Sequence, residues 1–381
     1  MKIIINVSNL NEGGGVQVAL SFIRELKKYK KYNFHVFSSF VMYSHLKNNM
    51  LGDNVNLHLI NNPISSIKTR YKTISKLRLL EKDISPHIVF TIFGPSYWRP
   101  ESIHLQGFAD GWVYNKDSIA YHRISFLQRI KRNLLNFFKI YHIKKEADYH
   151  LLETNDAKLK FSSVLNIPIS KVFVVGNTCS SIFYKKSYLE KNNKFYIDMQ
   201  DPKEGEFRFV YITHNHTGKN LNIINCVVKR LNNAKIKFVL TIDDSDYQKM
   251  FSNNPSIINL GPIPPESCPS IYKQCNALFA PTLLETFSAA YPESMKMGIP
   301  ILTSDFSFAT DVCKDSALYF NPLNVNDIVS KINSIVNNAK LRNDLIKKGL
   351  NRIKSFETAE GRAKKYLRLC SELPSGEFNK K

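Results

Sequence analysis

Phe279-Ala-Pro-Thr-Leu-Leu-Glu285-Thr-Phe-Ser-Ala-Ala-Tyr-Pro-Glu293-Ser-Met-Lys-Met-Gly298-Ile-Pro-Ile301 is the stretch from which the fold can be built outward. It predicts a buried strand ending at Ala280, a loop, a short helix over about 288–297, a glycine stop at Gly298 and a second strand. Strand, helix and strand in that order make one unit of a parallel α/β sheet. Glu285 sits in the loop and Glu293 about one turn inside the helix, so both acids flank the helix N-terminus. Unpaired N–H groups and the macrodipole attract an anion there. A ligand suited to both features carries a diphosphate for the helix and hydroxyl groups for the carboxylates, which describes a nucleotide sugar. The competing reading is an ordinary surface helix with two solvated acids.

The same alternation extends in both directions. Strands are expected at Ile3–Val7, Phe34–Ser38, Val55–Ile60, His87–Ile92, Ile103–Leu105, Tyr149–Leu152 and Val172–Val175. A polar, lysine-rich stretch follows Gly176 and runs to Gly205. A second series comes after it, at Phe207–Thr213, Lys237–Ile242, Ile257–Leu260, Ala277–Ala280, Pro300–Ser304 and Ala317–Phe320. At 381 residues with 43% hydrophobic content, the chain has material for two cores. Two domains are therefore expected, 1–175 and 176–355. No uncharged apolar run is long enough to span a bilayer. The opening Met1-Lys-Ile-Ile-Ile-Asn-Val reads as a first strand and not as a signal peptide. Six scattered cysteines without a C-x-x-C pair fit a reduced, cytoplasmic protein and offer no metal site.

The segment around the two glutamates resembles the E-x7-E signature of retaining glycosyltransferases of the large family 4 (group 1). Ala280-Pro281, Phe287 and the Met295, Gly298, Pro300 run extend the match. The resemblance implies two Rossmann-like doubly wound domains facing across a cleft (the GT-B fold). It also implies a C-terminal helix crossing back to the first domain, here within 356–381. The first domain would bind the acceptor and the second the donor, with a sugar moving from a nucleoside diphosphate to an acceptor hydroxyl and anomeric configuration retained. No metal or other cofactor is needed in that mechanism.

Residues take their expected roles from the same resemblance. Lys219, in Tyr211-Ile-Thr-His214-Asn-His216-Thr-Gly218-Lys219, stands where the family places a lysine on the leaving diphosphate. His214 stands where an arginine is usual, and an imidazole there carries charge only if a neighbouring anion raises its pKa. Glu285 would bind sugar hydroxyls, Glu293 the nucleotide ribose, and the backbone at Thr286, Phe287 and Ser288 the phosphates. Gly14 and Gly15, in a glycine run opening a helix after the first strand, would approach the donor phosphate; a flexible loop is the plainer reading. His104 would face the transferred sugar or serve as a structural histidine. Asp110 is a candidate for the acceptor hydroxyl. Asp243-Asp244-Ser-Asp246 looks like a D-x-D metal motif but reads better as an acidic helix start.

The formal charge is +21, from 53 Lys and Arg against 32 acids. Some partner or surface is therefore anionic, although AT-rich coding also inflates lysine. Much of the excess lies in the first domain, at 68–82 and at 121–145. There Arg123, Arg129, Lys131, Arg132, Lys139, Lys144 and Lys145 interleave with Phe126, Leu134, Phe137, Phe138 and Tyr141. Such a segment suits a membrane interface, or else a packed helix with a solvated basic face. No nucleic-acid-binding pattern accompanies it. The expected partners are thus a nucleotide-sugar donor and a lipid-linked saccharide acceptor. The protein would sit peripherally on the anionic inner face of the cell membrane, in O-antigen or capsule synthesis. An epimerase or soluble-acceptor transferase on this fold, or a non-catalytic anion-binding module, are the alternatives.

Overall fold

The runs of Ile, Val and Phe that alternate with helical patterns become the strands of two wholly parallel sheets in the computed structural model, which describes residues 1–47, 51–62, 64, 67–252 and 254–376. The first sheet comprises β1 (Lys2–Val7), β2 (Asn33–Ser38), β3 (Val55–Leu59), β4 (Ile88–Thr91), β5 (Ile103–Gly107), β6 (Tyr149–Leu152) and β7 (Val172–Val174), in the order β3-β2-β1-β4-β5-β6-β7. The second comprises β8 (Phe207–Tyr211), β9 (Ile236–Leu240), β10 (Ile257–Asn259), β11 (Ala277–Ala280), β12 (Ile301–Ser304) and β13 (Ala317–Phe320), in the order β10-β9-β8-β11-β12-β13. Every expected strand is present. Most differ only at an end, because the terminal apolar residue of a run enters the following loop. Both orders start from an interior strand and reverse direction beside it, the doubly wound Rossmann-like pattern.

One compact unit contains Met1–Lys116, Phe126–Asn177 and the C-terminal segment from Glu357; the other contains Asp117–Ser125 and Thr178–Phe356. The expected division at Gly176 did not foresee that residues 117–125 leave the first unit for the second. Nor is the lysine-rich 176–205 stretch a bare linker, since Cys179, Phe183 and Met199 are buried in the second core. The helix Ala359–Ser375 packs on the first unit through Ala363, Tyr366 and Leu367, with Tyr366 edge-on to Phe22 at 5.1 Å and to Phe90 at 5.2 Å. Residues 377–381 of the expected crossing segment lie outside the described residues.

The strands of the second sheet are cross-linked by aromatic rings. Phe209 stacks on Phe238 at 5.5 Å, Phe238 meets Phe279 edge-on at 5.3 Å, and Phe279 stacks on Phe320 at 5.4 Å. Each such pair contributes about 0.5–1.5 kcal/mol beyond its burial. The chain therefore leaves β8 and β11 from a stiff base.

Candidate active site

In the second sheet the strand order reverses between β8 and β11. Connections from neighbouring strands diverge at such a point and open a crevice at the strands' C-terminal ends. The loop after β8 carries Lys219 and the loop after β11 carries Glu285. The two side chains, 66 positions apart in sequence, form an ion pair through Lys219 Nζ and Glu285 Oε2. Burial alone would lower the lysine pKa. The Glu285 carboxylate and the Tyr211 hydroxyl more than reverse that effect, so Lys219 is held charged. Its ammonium also lies 5.8 Å from the centre of the Tyr211 ring.

Local geometry explains why the two loops stay together. Lys219 ends a short 3-10 turn, Thr217–Lys219. The Gly218 amide donates to His216 Nδ1 at 3.1 Å, and the Gly218 carbonyl accepts from the Leu283 amide at 2.7 Å. A Cβ on Gly218 would lie 3.1 Å from the His216 ring and 3.2 Å from the Leu284 carbonyl, so the close approach favours glycine. Asn220 turns the chain back with φ 54° and donates to the Pro322 carbonyl at 3.2 Å. On the facing loop, the Thr286 amide donates to Glu285 Oε1 at 3.2 Å, and Ser118 Oγ donates to the Leu283 carbonyl at 3.2 Å.

The following helix is Ala290–Met297, starting two residues later than expected. Ala289 at its N-cap supplies no side-chain hydrogen bond, and the glycine stop is Gly298 with φ 67°. Thr286 and Ser288 are buried and Phe287 is partly buried, its ring 6.3 Å from that of Phe356. Glu293 lies in the first turn, where its Oε2 accepts from the Tyr272 hydroxyl at 3.2 Å. Burial pushes its carboxyl up to about 8, against the smaller opposing effect of that hydrogen bond. Burial therefore favours the neutral carboxylic acid of Glu293 in the free protein. His214 is exposed, and its ring stands 6.2 Å from His216, the residue that holds Gly218.

The first unit treats its candidates differently. A helix does begin at Gly13 with φ 74°, with Gly14 exposed and Gly15 against the Phe93 ring. His104, however, is a core residue. It lies within β5 with no exposed surface, one ring nitrogen 2.8 Å from Thr91 Oγ1 and the other 2.8 Å from the Glu146 carbonyl. Burial lowers its pKa to about 4. The expectation that it meets a sugar is corrected: its ring is sealed, and both nitrogens are engaged. Asp110 caps the turn Gly111–Tyr114, accepting from the Trp112 amide at 3.1 Å, and its other oxygen is 2.5 Å from Lys139 Nζ. Asp244 and Asp246 occupy the first turn of the helix Asp244–Phe251, with Asp243 at its N-cap.

Several participants had no local signature. Tyr272 reaches Glu293 from a helix and Tyr211 reaches Lys219 from the end of a strand, both at positions that read as core. In the first unit, buried Glu146 accepts from Ser96 Oγ and the Tyr97 amide, each at 2.9 Å, and contacts His142 Nδ1 at 2.7 Å. Burial raises Glu146 to about 7.

Comparison with known proteins bears on the unit that holds the ion pair. Residues 194–352 match the family model of group 1 glycosyl transferases. No curated protein matches the chain. Among solved structures, a glycosyltransferase from Rickettsia africae is similar with a TM-score of 0.71 at 12% identity, covering 97% of this chain and 98% of its own. Anabaena Alr3699/HepE, solved with UDP and glucose, is similar with a TM-score of 0.69 at 12% identity, covering 98% of this chain and 100% of its own. WaaG, a glycosyltransferase involved in lipopolysaccharide biosynthesis, gives 0.68 at 10% identity, over 99% and 100%. Identities this low establish a common fold, the two Rossmann-like α/β domains of GT-B glycosyltransferases. The sequence match adds the group 1 glycosyltransferase pattern to the second domain.

Proposed function

We propose that the protein is a retaining glycosyltransferase that moves a hexosyl or N-acetylhexosaminyl group from a nucleoside diphosphate to a hydroxyl of a lipid-linked saccharide. The observation that carries this reading is the meeting of Lys219 and Glu285 at the reversal point of the second sheet, beside an uncapped helix N-terminus. Such a place suits a diphosphate on one side and sugar hydroxyls on the other. In the reaction the bond from the anomeric carbon to the β-phosphate oxygen breaks. The acceptor oxygen bonds to that carbon on the same face, and the acceptor proton passes to the departing phosphate. Lys219 and the backbone amides of Phe287 and Ser288 stabilise the negative charge that develops, commonly the largest catalytic term. Lys219 then exchanges Glu285 for phosphate, which frees the carboxylate for sugar hydroxyls. Glu293 holds the ribose, and His214 stands where the diphosphate approaches. No step calls for a metal. We place the enzyme at the inner face of the cell membrane, in surface-polysaccharide synthesis such as O-antigen or capsule.

The direct test is thermal-shift measurement with UDP, GDP, dTDP and ADP, with and without magnesium. Stabilisation by one of them at about 100 times its Kd amounts to about 2.7 kcal/mol and should not require magnesium. The absence of stabilisation by every nucleotide would end this reading.

A further inference from the structure

The helix Phe126–Glu146 carries its polarity inside out. The side chains it turns inward are Asn136, Ile143 and Glu146. Asn136 donates to the Trp112 carbonyl at 2.8 Å, and Glu146 is tied to Ser96 and Tyr97. The opposite side is apolar and open to solvent, with Phe126 72%, Leu127 76% and Phe137 66% exposed. At 3.6 residues per turn these residues fall with Ile130, Leu134, Phe138 and Tyr141 in one arc of roughly 120°. A helix on a water-soluble surface normally shows the reverse. So many exposed aromatic and aliphatic side chains on one helix face exceed the scattered singles of an ordinary surface.

Charge narrows the choice of what covers this face. The helix contains Arg129, Lys131, Arg132, Lys139, Lys144 and Lys145, while its one acid, Glu146, is buried. Two copies meeting through this face would bring like charges together. A protein partner would need an acidic rim around an apolar centre. A bilayer with anionic headgroups presents apolar depth and negative charge together. The helix Ile67–Ile84 lies close to its C-terminal end, since Arg70 is 4.8 Å over the Tyr97 ring and Tyr97 meets His142 at 5.0 Å. That helix adds exposed Tyr71 and Leu79 with further lysines.

We infer that the helix Phe126–Glu146 lies flat in an anionic membrane interface, its aromatic face in the acyl boundary and its exposed Lys131, Lys144 and Lys145 at the headgroups. This deepens the acceptor side of the proposed function and rests on that reading for its purpose only. The test is co-sedimentation of the full chain with phosphatidylcholine vesicles, with and without phosphatidylglycerol. Binding should require phosphatidylglycerol and weaken with salt. The double variant Phe137→Ser, Phe138→Ser should bind at least tenfold more weakly. Each of Lys131→Gln, Lys144→Gln and Lys145→Gln should cost about fivefold. All these positions are exposed, so each variant should keep the wild-type Tm and its stabilisation by the chosen nucleoside diphosphate. Equal vesicle binding by wild type and the phenylalanine variant would overturn the inference. So would a wild-type dimer that this variant converts to monomer without any vesicle binding. Vesicle binding with no nucleotide response would uphold the docking surface and sink the transferase reading; the converse result would do the opposite.

Discussion

His104 and Lys219 occupy similar places, one on the fifth strand of the first sheet and one just past the first strand of the second, and their fates are opposite. His104 is held by two hydrogen bonds inside the core, neutral because burial makes its charged form costly. Lys219 leaves its strand by a pinned turn and meets an acid from the neighbouring loop, which keeps it charged. A titratable residue with all its partners inside the core does structural duty. One whose partner is a single counter-ion at a sheet's reversal point can exchange that partner for a ligand. The lesson is that place along a strand matters less than which groups already satisfy the side chain.

Substitution should separate the two most sharply. Lys219→Ala is expected to lower kcat by about 10²–10³, the scale of losing one group that stabilises developing charge. Its Tm should fall as well, because the ion pair is largely buried and the Glu285 carboxylate is left without its counter-ion, so activity is compared at a temperature where the variant is folded. Full activity in this variant would remove Lys219 from the mechanism. His104→Ala should cost stability alone. It opens a cavity and strips partners from Thr91 and the Glu146 carbonyl, costing about 2–4 kcal/mol of stability. At a temperature where the variant is folded, kcat and KM should match the wild type. A selective fall in kcat with unchanged unfolding would return His104 to the reaction.

What was legible follows the same division. Strands could be placed because a buried parallel strand is a short apolar run, and thirteen such runs became thirteen strands. Glu285, Glu293 and Gly298 were legible because one strand–loop–helix unit fixes their relative positions locally. The sequence left His104 between sugar contact and a structural role because burial is a tertiary property: Thr91 and Glu146 come from other elements and leave no mark beside it. Residues 117–125 changed units for the same reason, their anchor being the Leu283 carbonyl far along the chain. The helix Phe126–Glu146 could be recognised as amphipathic. Which face it buries could not, because two polar residues, Asn136 and Glu146, point inward.

The comparison sharpens further when both domains are titrated, because His104 and Glu293 are each held neutral by burial and respond to pH with opposite sign. The folded-state pKa of His104, about 4, lies below its ordinary value of 6.5. Between those values the unfolded chain binds more protons, so stability from this group is lost as pH falls. Glu293 is raised from 4.5 to about 8. Over that window the folded chain keeps a proton that the unfolded chain releases, so stability falls as pH rises and levels off above 8. Glu293 is only partly buried, so water screens part of the effect and about 1–2 kcal/mol is expected between pH 5 and 8. Comparing each protein with Glu293→Gln isolates that group, since the histidines titrate equally in both. Denaturant unfolding should find the variant gaining on the wild type as pH rises from 5 to 8. A difference independent of pH would mean that Glu293 is already ionised in the free protein. Stabilisation at pH 8 by the nucleoside diphosphate should weaken in the same variant, because the carboxylate that costs stability when empty is the one that accepts from the ribose, and a neutral amide accepts less strongly.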